Sequence, residues 1–139
     1  MSLKRGAILS ANDRQPKSIS VPEWGGDVFI CKSSLIDRTR WSTLVKGQSE
    51  GDEKSAINMA RYLCIHLGDE NGVPLFQSFG PVGVFIDNDS MMLADKSFEV
   101  LDRLFDRCVE YNKLPDREET EKNSASGQTG DSTSTSPAN

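Results

Sequence analysis

His66 is the only histidine of the 139-residue chain, and Cys64 stands two positions before it. A thiol beside an imidazole is the pairing that cysteine nucleophiles use, because the ring accepts the thiol proton. The spacing defeats that chemistry: residues two apart point to opposite faces of a strand and diverge around a helix. Cys31, Cys64 and Cys108 each sit inside an apolar pattern, at spacings no zinc motif uses. Their odd number favours buried free thiols in a reducing compartment. Asp87-Asn-Asp89 and Asp69-Glu-Asn71 look like fragments of calcium loops, but neither continues to a closing glutamate, so both read as turns. No phosphate-binding glycine loop, dinucleotide fingerprint or Gly-x-Ser-x-Gly elbow appears. The residues therefore predict no catalytic site, no cofactor and no metal. Two aromatics remain. Trp24 lies beside paired glycines and Trp41 within a polar-flanked helical pattern; core packing is the commoner fate of such residues, and anchoring a protein interface is the other. Trp24 and Trp41 are the candidate partner-contact residues.

The elements that would position these residues centre on the segment from Asp95 to Pro115. Phe98, Leu101, Leu104, Phe105, Cys108 and Tyr111 recur at spacings of three and four, the stripe of an amphipathic helix. Glu99, Asp102, Arg103, Asp106, Arg107 and Glu110 mostly fall opposite. Ser97 stands at the N-cap position, and Pro115 ends the pattern because it cannot donate the next helical hydrogen bond. Upstream, Ile19 to Trp24 and Asp27 to Lys32 predict a β-hairpin turned by Gly25-Gly26. Ser33 or Ser34 then caps a helix with a partial apolar face of Leu35, Trp41, Leu44 and Val45, Asp37 completing a weak capping box with Ser34. Lys46 to Lys54 reads as a polar loop. A second helix, Ser55 to Leu67, carries Ala56, Ile57, Ala60, Leu63, Cys64 and Leu67 on one face; its end, Leu63 to Leu67, also suits an extended chain. Gly68 to Gly72 is a turn, and Val73 to Gln77 a short strand that would form a second hairpin with an extended Leu63–Leu67. Ser78 to Asp89 is either another strand or a structured loop. Met91-Met-Leu93 reads as one helical turn.

Hydrophobic residues make up 36% of the chain, below the roughly 45–50% of globular domains. The shortfall is concentrated after Asn123, where Ala125 and Ala138 are the only apolar residues. Such a stretch buries too little to offset its ordering entropy. Net charge is −5, and the stretch from Asp116 onward supplies −3 of it, five acids against two bases. The chain before it is close to neutral and carries no basic stripe, which argues against nucleic acid as a partner. No stretch approaches the ~20 apolar residues of a membrane span, and Met1 to Ser10 lacks the apolar run of a signal peptide. The expected organisation is a mobile N-terminus over 1–16, a folded domain over 17–115 and a disordered polar tail over 116–139. The expected fold is α+β: one or two β-hairpins packed against about three α-helices.

Four segments, in order, carry a resemblance: Val21-Pro-Glu-Trp-Gly-Gly-Asp-Val-Phe-Ile30, Ala60-Arg-Tyr-Leu-Cys-Ile-His-Leu-Gly-Asp-Glu-Asn-Gly-Val-Pro-Leu-Phe76, Leu93-Ala-Asp-Lys-Ser-Phe-Glu-Val-Leu-Asp-Arg-Leu-Phe105, and Tyr111-Asn-Lys-Leu114 with Glu121-Lys-Asn-Ser124 after it. Together they resemble the tail assembly chaperones, or minor tail proteins, of long-tailed phages and prophages, over Ser18 to Ser124. The chain departs from that pattern at Gln77 to Asp89, where related proteins reach their acidic helix with less intervening material. The resemblance implies a non-enzymatic protein of the host cytoplasm. Such proteins coat the long apolar tape measure protein, keep it soluble before tail assembly and are absent from the finished virion. The implied partners are the tape measure protein, the tail tube protein and further copies of the chain itself.

In this family a longer form is often made by programmed ribosomal frameshifting near the end of the gene. Glu121-Lys122-Asn123 can be encoded GAA AAA AAC, which contains the slippery heptamer A AAA AAC in the correct phase. Lys122 and Asn123 are thus the expected frameshift codons. The alternatives are a phage or bacterial adaptor domain that binds a different partner, and a cysteine-dependent enzyme built on Cys64.

Overall fold

The computed structural model describes residues 1–46 and 52–113. Pro115, the stretch from Asp116 onward and the codon positions Lys122 and Asn123 lie outside the described residues. The elements run α1 (Arg5–Ser10), β1 (Lys17–Val21), β2 (Gly26–Ile30), α2 (Leu35–Val45), α3 (Asp52–His66), β3 (Leu67–Gly68), α4 (Asn88–Leu93) and α5 (Phe98–Asn112). The architecture is α+β as expected, with short α1 and α4 added to the three longer helices.

β1 alternates, sending Ile19 and Val21 inward and the residues between them to solvent, as a half-buried strand must. It pairs antiparallel with β2 in the register Lys17↔Ile30 to Val21↔Gly26. A 3-10 turn over Pro22–Trp24 joins them, closed by Gly25 at φ 82°, a left-handed conformation that glycine adopts without steric cost. Gly26 belongs to the strand, so one glycine makes the turn and not two. β2 is the central strand, flanked by β1 and β3.

The second hairpin shrinks to its root. α3 stays helical through His66, and only Leu67–Gly68 is extended, pairing with Phe29 and Ile30. Val73 to Gln77 is not a strand; Gly68 bridges Pro74, and Leu75 N–H donates to Leu67 O at 3.2 Å. The cause lies in Asp69, whose carboxylate accepts from the backbone N–H of both Asn71 and Val73 and tightens the turn. Gly68 is also required sterically: a Cβ there would come within 2.9 Å of Cys31 Sγ and of Val73 O. Of the two readings of Ser78 to Asp89 the structured loop is the one found, with Asn88 and Asp89 already opening α4. It folds back on itself through Phe79↔Phe85, with Ile86 N–H donating to Ser78 O.

α2 starts at Leu35, and Ser34 Oγ accepts from Asp37 N–H at 3.1 Å as the capping signal predicts. Leu35, expected on its apolar face, is 83% exposed. α3 begins at Asp52, earlier than Ser55. Its stripe of Ala60, Leu63 and Cys64 is buried, while Ala56 is exposed.

α5 buries Val100, Leu101, Leu104, Cys108 and Asn112. Phe98 is 70% exposed. Helical side chains lean toward the N-terminus, so a residue in the first position overhangs the end of the core. Ser97 occupies the N-cap position without a side-chain cap bond. The core joins this helix to Ile19, Val21 and Ile30 of the sheet, to Leu63, Cys64 and Leu67, and to Leu93 of α4.

Asn112 is the polar residue that composition-based reading passes over. Its Nδ2 donates to Cys31 O and Cys108 O at 3.0 and 3.1 Å, and its Oδ1 accepts from Ser33 N–H at 2.8 Å. The final carbonyls of α5, orphans of any helix end, are taken by side chains from the segment after β2 and from α2: Lys32 Nζ on Tyr111 O and Arg38 on Asn112 O. The N-terminal stretch joins the same end. Arg14 donates to Ile65 O, Gly72 O and Lys32 O, and Tyr111 Oη donates to Gln15 O. Bonded contacts thus begin upstream of Lys17, at Asn12, which donates to Asn71 O. α1 itself buries no residue.

This packing sets two expected outcomes. Leu104→Ala removes a fully buried side chain and should lower stability by about 2–5 kcal/mol in urea denaturation. His66 is buried and its pKa is lowered from 6.5 to about 4, chiefly by desolvation. As pH falls, the unfolded chain takes a proton near 6.5 and the folded chain only near 4. Stability should therefore be full above pH 6.5 and decline toward pH 4, by a total on the order of 3 kcal/mol. Urea midpoints measured between pH 7 and 4 check this, and His66→Gln should flatten the decline.

Candidate interaction surface

The structure separates the residues that could have formed a nucleophile and its base. His66 Nδ1 faces Tyr62 O at 2.7 Å and Nε2 faces Ser33 Oγ at 2.9 Å. The carbonyl can only accept, which places the ring proton on Nδ1; Ser33 Oγ stands between Nε2 and Asn112 Oδ1, 3.0 Å from the latter, with one proton for the two. Neither ring nitrogen bonds to Cys64. Burial pushes the thiols of Cys64 and Cys108 up to about 12, and that of Cys31 up as well. All three are protonated at neutral pH, and a protonated thiol is a poor nucleophile. Among the described residues, no group of three His, Cys, Asp or Glu side chains is arranged to hold a metal ion. Asp69 is occupied with its turn. Asp87 forms a two-pronged ion pair with Arg61, at 2.8 and 2.6 Å, which holds its carboxyl below the usual range.

The two tryptophans have different surroundings. Trp41 is half-buried and packs edge-on against Tyr62, ring centroids 5.3 Å apart; Tyr62 in turn packs against Phe105 and His66. Trp24 is 39% exposed and lines an open apolar groove of about 490 Å³ with Phe76, Asp89, Met92, Leu93 and Lys96.

Each wall of this groove is fastened. Trp24 rides on the 3-10 turn between β1 and β2, whose Pro22 pre-sets the backbone. The neighbouring Glu23 accepts two bonds from Arg103 of α5, at 2.9 and 2.8 Å. Those hydrogen bonds pull the Glu23 pKa down to about 2. Phe76 is held through the next residue, since Gln77 N–H donates to Asp89 Oδ2 at 2.7 Å. The floor is α4. Ser90 and Leu93 are buried, and Ser90 Oγ donates to Asp87 Oδ1 at 2.6 Å, so α4 is fixed to the Arg61–Asp87 pair on α3.

Sequence reasoning singled out Trp24 but passed over Phe76, Met92 and Lys96. A signal was available. Asp89, Met92, Leu93 and Lys96 are spaced i, i+3, i+4, i+7 in sequence, the spacing of one helical face, with Met92 and Leu93 between opposite charges. The short Met91-Met-Leu93 pattern hid it.

No family model matches the chain, and no curated protein sequence matches it. Among solved structures it is similar to the tail assembly chaperone of bacteriophage HK97, with a TM-score of 0.51 and 18% sequence identity. The match covers 80% of this chain and 95% of that one. The α+β arrangement described above is therefore a tail assembly chaperone fold.

Proposed function

We propose that this protein is a phage tail assembly chaperone of the host cytoplasm. It binds the tape measure protein, keeps it soluble and assists assembly of the tail tube around it. The observation that carries the reading is the likeness to the HK97 chaperone, which spans nearly the whole of that chain. The surface suits the role: a fastened apolar groove, with Trp24 on one wall and methionine on its floor, offers contact area without a catalytic pocket. Tryptophan is a common interface anchor, and methionine adapts to irregular apolar partners. Protonated, buried thiols add nothing catalytic.

Co-expression with the tape measure protein of the same phage or prophage tests the role. The tape measure protein should move from the insoluble to the soluble fraction and co-purify with this chain. A tape measure protein that stays insoluble and unbound overturns the reading.

The same protein is made in two forms. A −1 frameshift at Lys122 and Asn123, on a codon run A AAA AAC, yields a longer product that keeps the described domain and exchanges the residues after Asn123 for a partner-binding extension. The nucleotides of codons 121–123 should contain that heptamer, and mass spectrometry of the expressed gene should find both products. A codon run that cannot slip removes this site and leaves the chaperone role standing.

A further inference from the structure

The floor of the groove has a polarity that its apolar lining does not explain. Asp89, in the first turn of α4, and Lys96, in the turn that follows the helix, both line it, seven residues apart in sequence with Met92 and Leu93 between them. Lys96 is placed by that turn, its N–H donating to Leu93 O at 3.0 Å. Asp89 is already held by Gln77 N–H, whereas Lys96 makes no ion pair among the described residues. Met92 is 67% exposed although it lines a cleft beside Trp24 and Phe76. A bulky apolar ridge, with an anion at one end and an uncompensated cation at the other, selects a partner by shape and by direction.

Resting on the chaperone reading, we propose that this groove is the seat for an amphipathic helix of the client protein, docked in a single orientation. The helix presents an apolar ridge to Trp24, Phe76 and Met92. It carries a carboxylate opposite Lys96 and, further along, a basic residue opposite Asp89. The reversed charges fix which way the client helix runs, since the opposite direction would bring like charges together. Apolar contact supplies the affinity, and the end charges supply the direction and the rate of encounter.

The test uses the full chain and 18-residue peptides tiled across the tape measure protein, with binding read from the fluorescence of Trp24. Trp41 is already packed on Tyr62 and serves as a constant background. Peptides with the acid–apolar–base pattern should bind wild type and shift the Trp24 emission to the blue. Lys96→Glu, a surface change that leaves the core untouched, should weaken them roughly threefold to tenfold, and peptides with the facing carboxylate changed to lysine should recover the loss. Trp24→Ala, which removes the tryptophan reporter and is therefore read by the anisotropy of a fluorescein-labelled peptide, should weaken binding more than tenfold, as truncation of an interface anchor does, with far-UV circular dichroism confirming the fold. Equal binding by wild type and Lys96→Glu overturns the groove and leaves the chaperone role intact if the tape measure protein still co-purifies. No binding of the tape measure protein or its peptides by wild type overturns both. If Lys96→Glu instead changes the sedimentation coefficient of the chain alone and leaves peptide capture unchanged, a second copy occupies the groove and the proposal fails.

Discussion

The carboxamide of Asn112 is the interaction on which the domain closes. It is buried at the last residue of α5, where a helix has unsatisfied carbonyls and the chain leaving β2 has backbone groups beyond the strand pairing. One side chain answers both needs, donating to Cys31 O and Cys108 O and accepting from Ser33 N–H. Ser33 connects onward to His66, and Lys32 and Arg38 cover the neighbouring carbonyls of Tyr111 and Asn112. Among the described residues, no buried side-chain nitrogen or oxygen lacks a partner. A half-satisfied network of this kind would be worse than an apolar core, because each orphaned group keeps its desolvation penalty. The network is complete, so it specifies one arrangement of α2, α3 and α5.

With that end locked, the elements around the groove, packed on the core through Leu93, are oriented by charge. Arg103 reaches Glu23 from α5, and Arg61 reaches Asp87 from α3. Surface pairs of this sort contribute little to net stability, the Arg103–Glu23 pair being more than a third exposed. Their value is geometric: bidentate guanidinium contacts fix direction as well as distance. One holds the turn that carries Trp24, and the other holds the short helix that carries Met92 and Leu93. The groove between them is thus a property of the fold's frame, with a rim set by two arginines.

The parts of this arrangement legible in the sequence were those with periodicity. The stripe of Leu101, Leu104 and Cys108 and that of Ala60, Leu63 and Cys64 announced the two core helices, and alternation through Ile19 and Val21 announced the first strand. Position along the element was harder to read. Phe98 has the right spacing and the wrong end of the helix, and Leu35 opens α2 beyond the reach of the core. Two polar residues with structural work left no trace: Asn112 and Arg14 act through backbone carbonyls and amides that no pattern of side chains reveals, whereas Asp69 was legible as part of a turn. The groove was half visible. Trp24 stood out by type, whereas Phe76 and Lys96 join it only because Asp89 folds the loop after Phe76 onto α4.

The Asn112 network also sets the order in which the domain can come into being. Its bonds to Cys31 and Ser33 span 79 to 81 residues, nearly the full length of the folded region. Loop closure on that scale comes late, because the entropy is lost before the contact is made. During synthesis the hairpin and α3 are complete while their lock is still untranslated, so the nascent chain holds an open apolar face until α5 arrives.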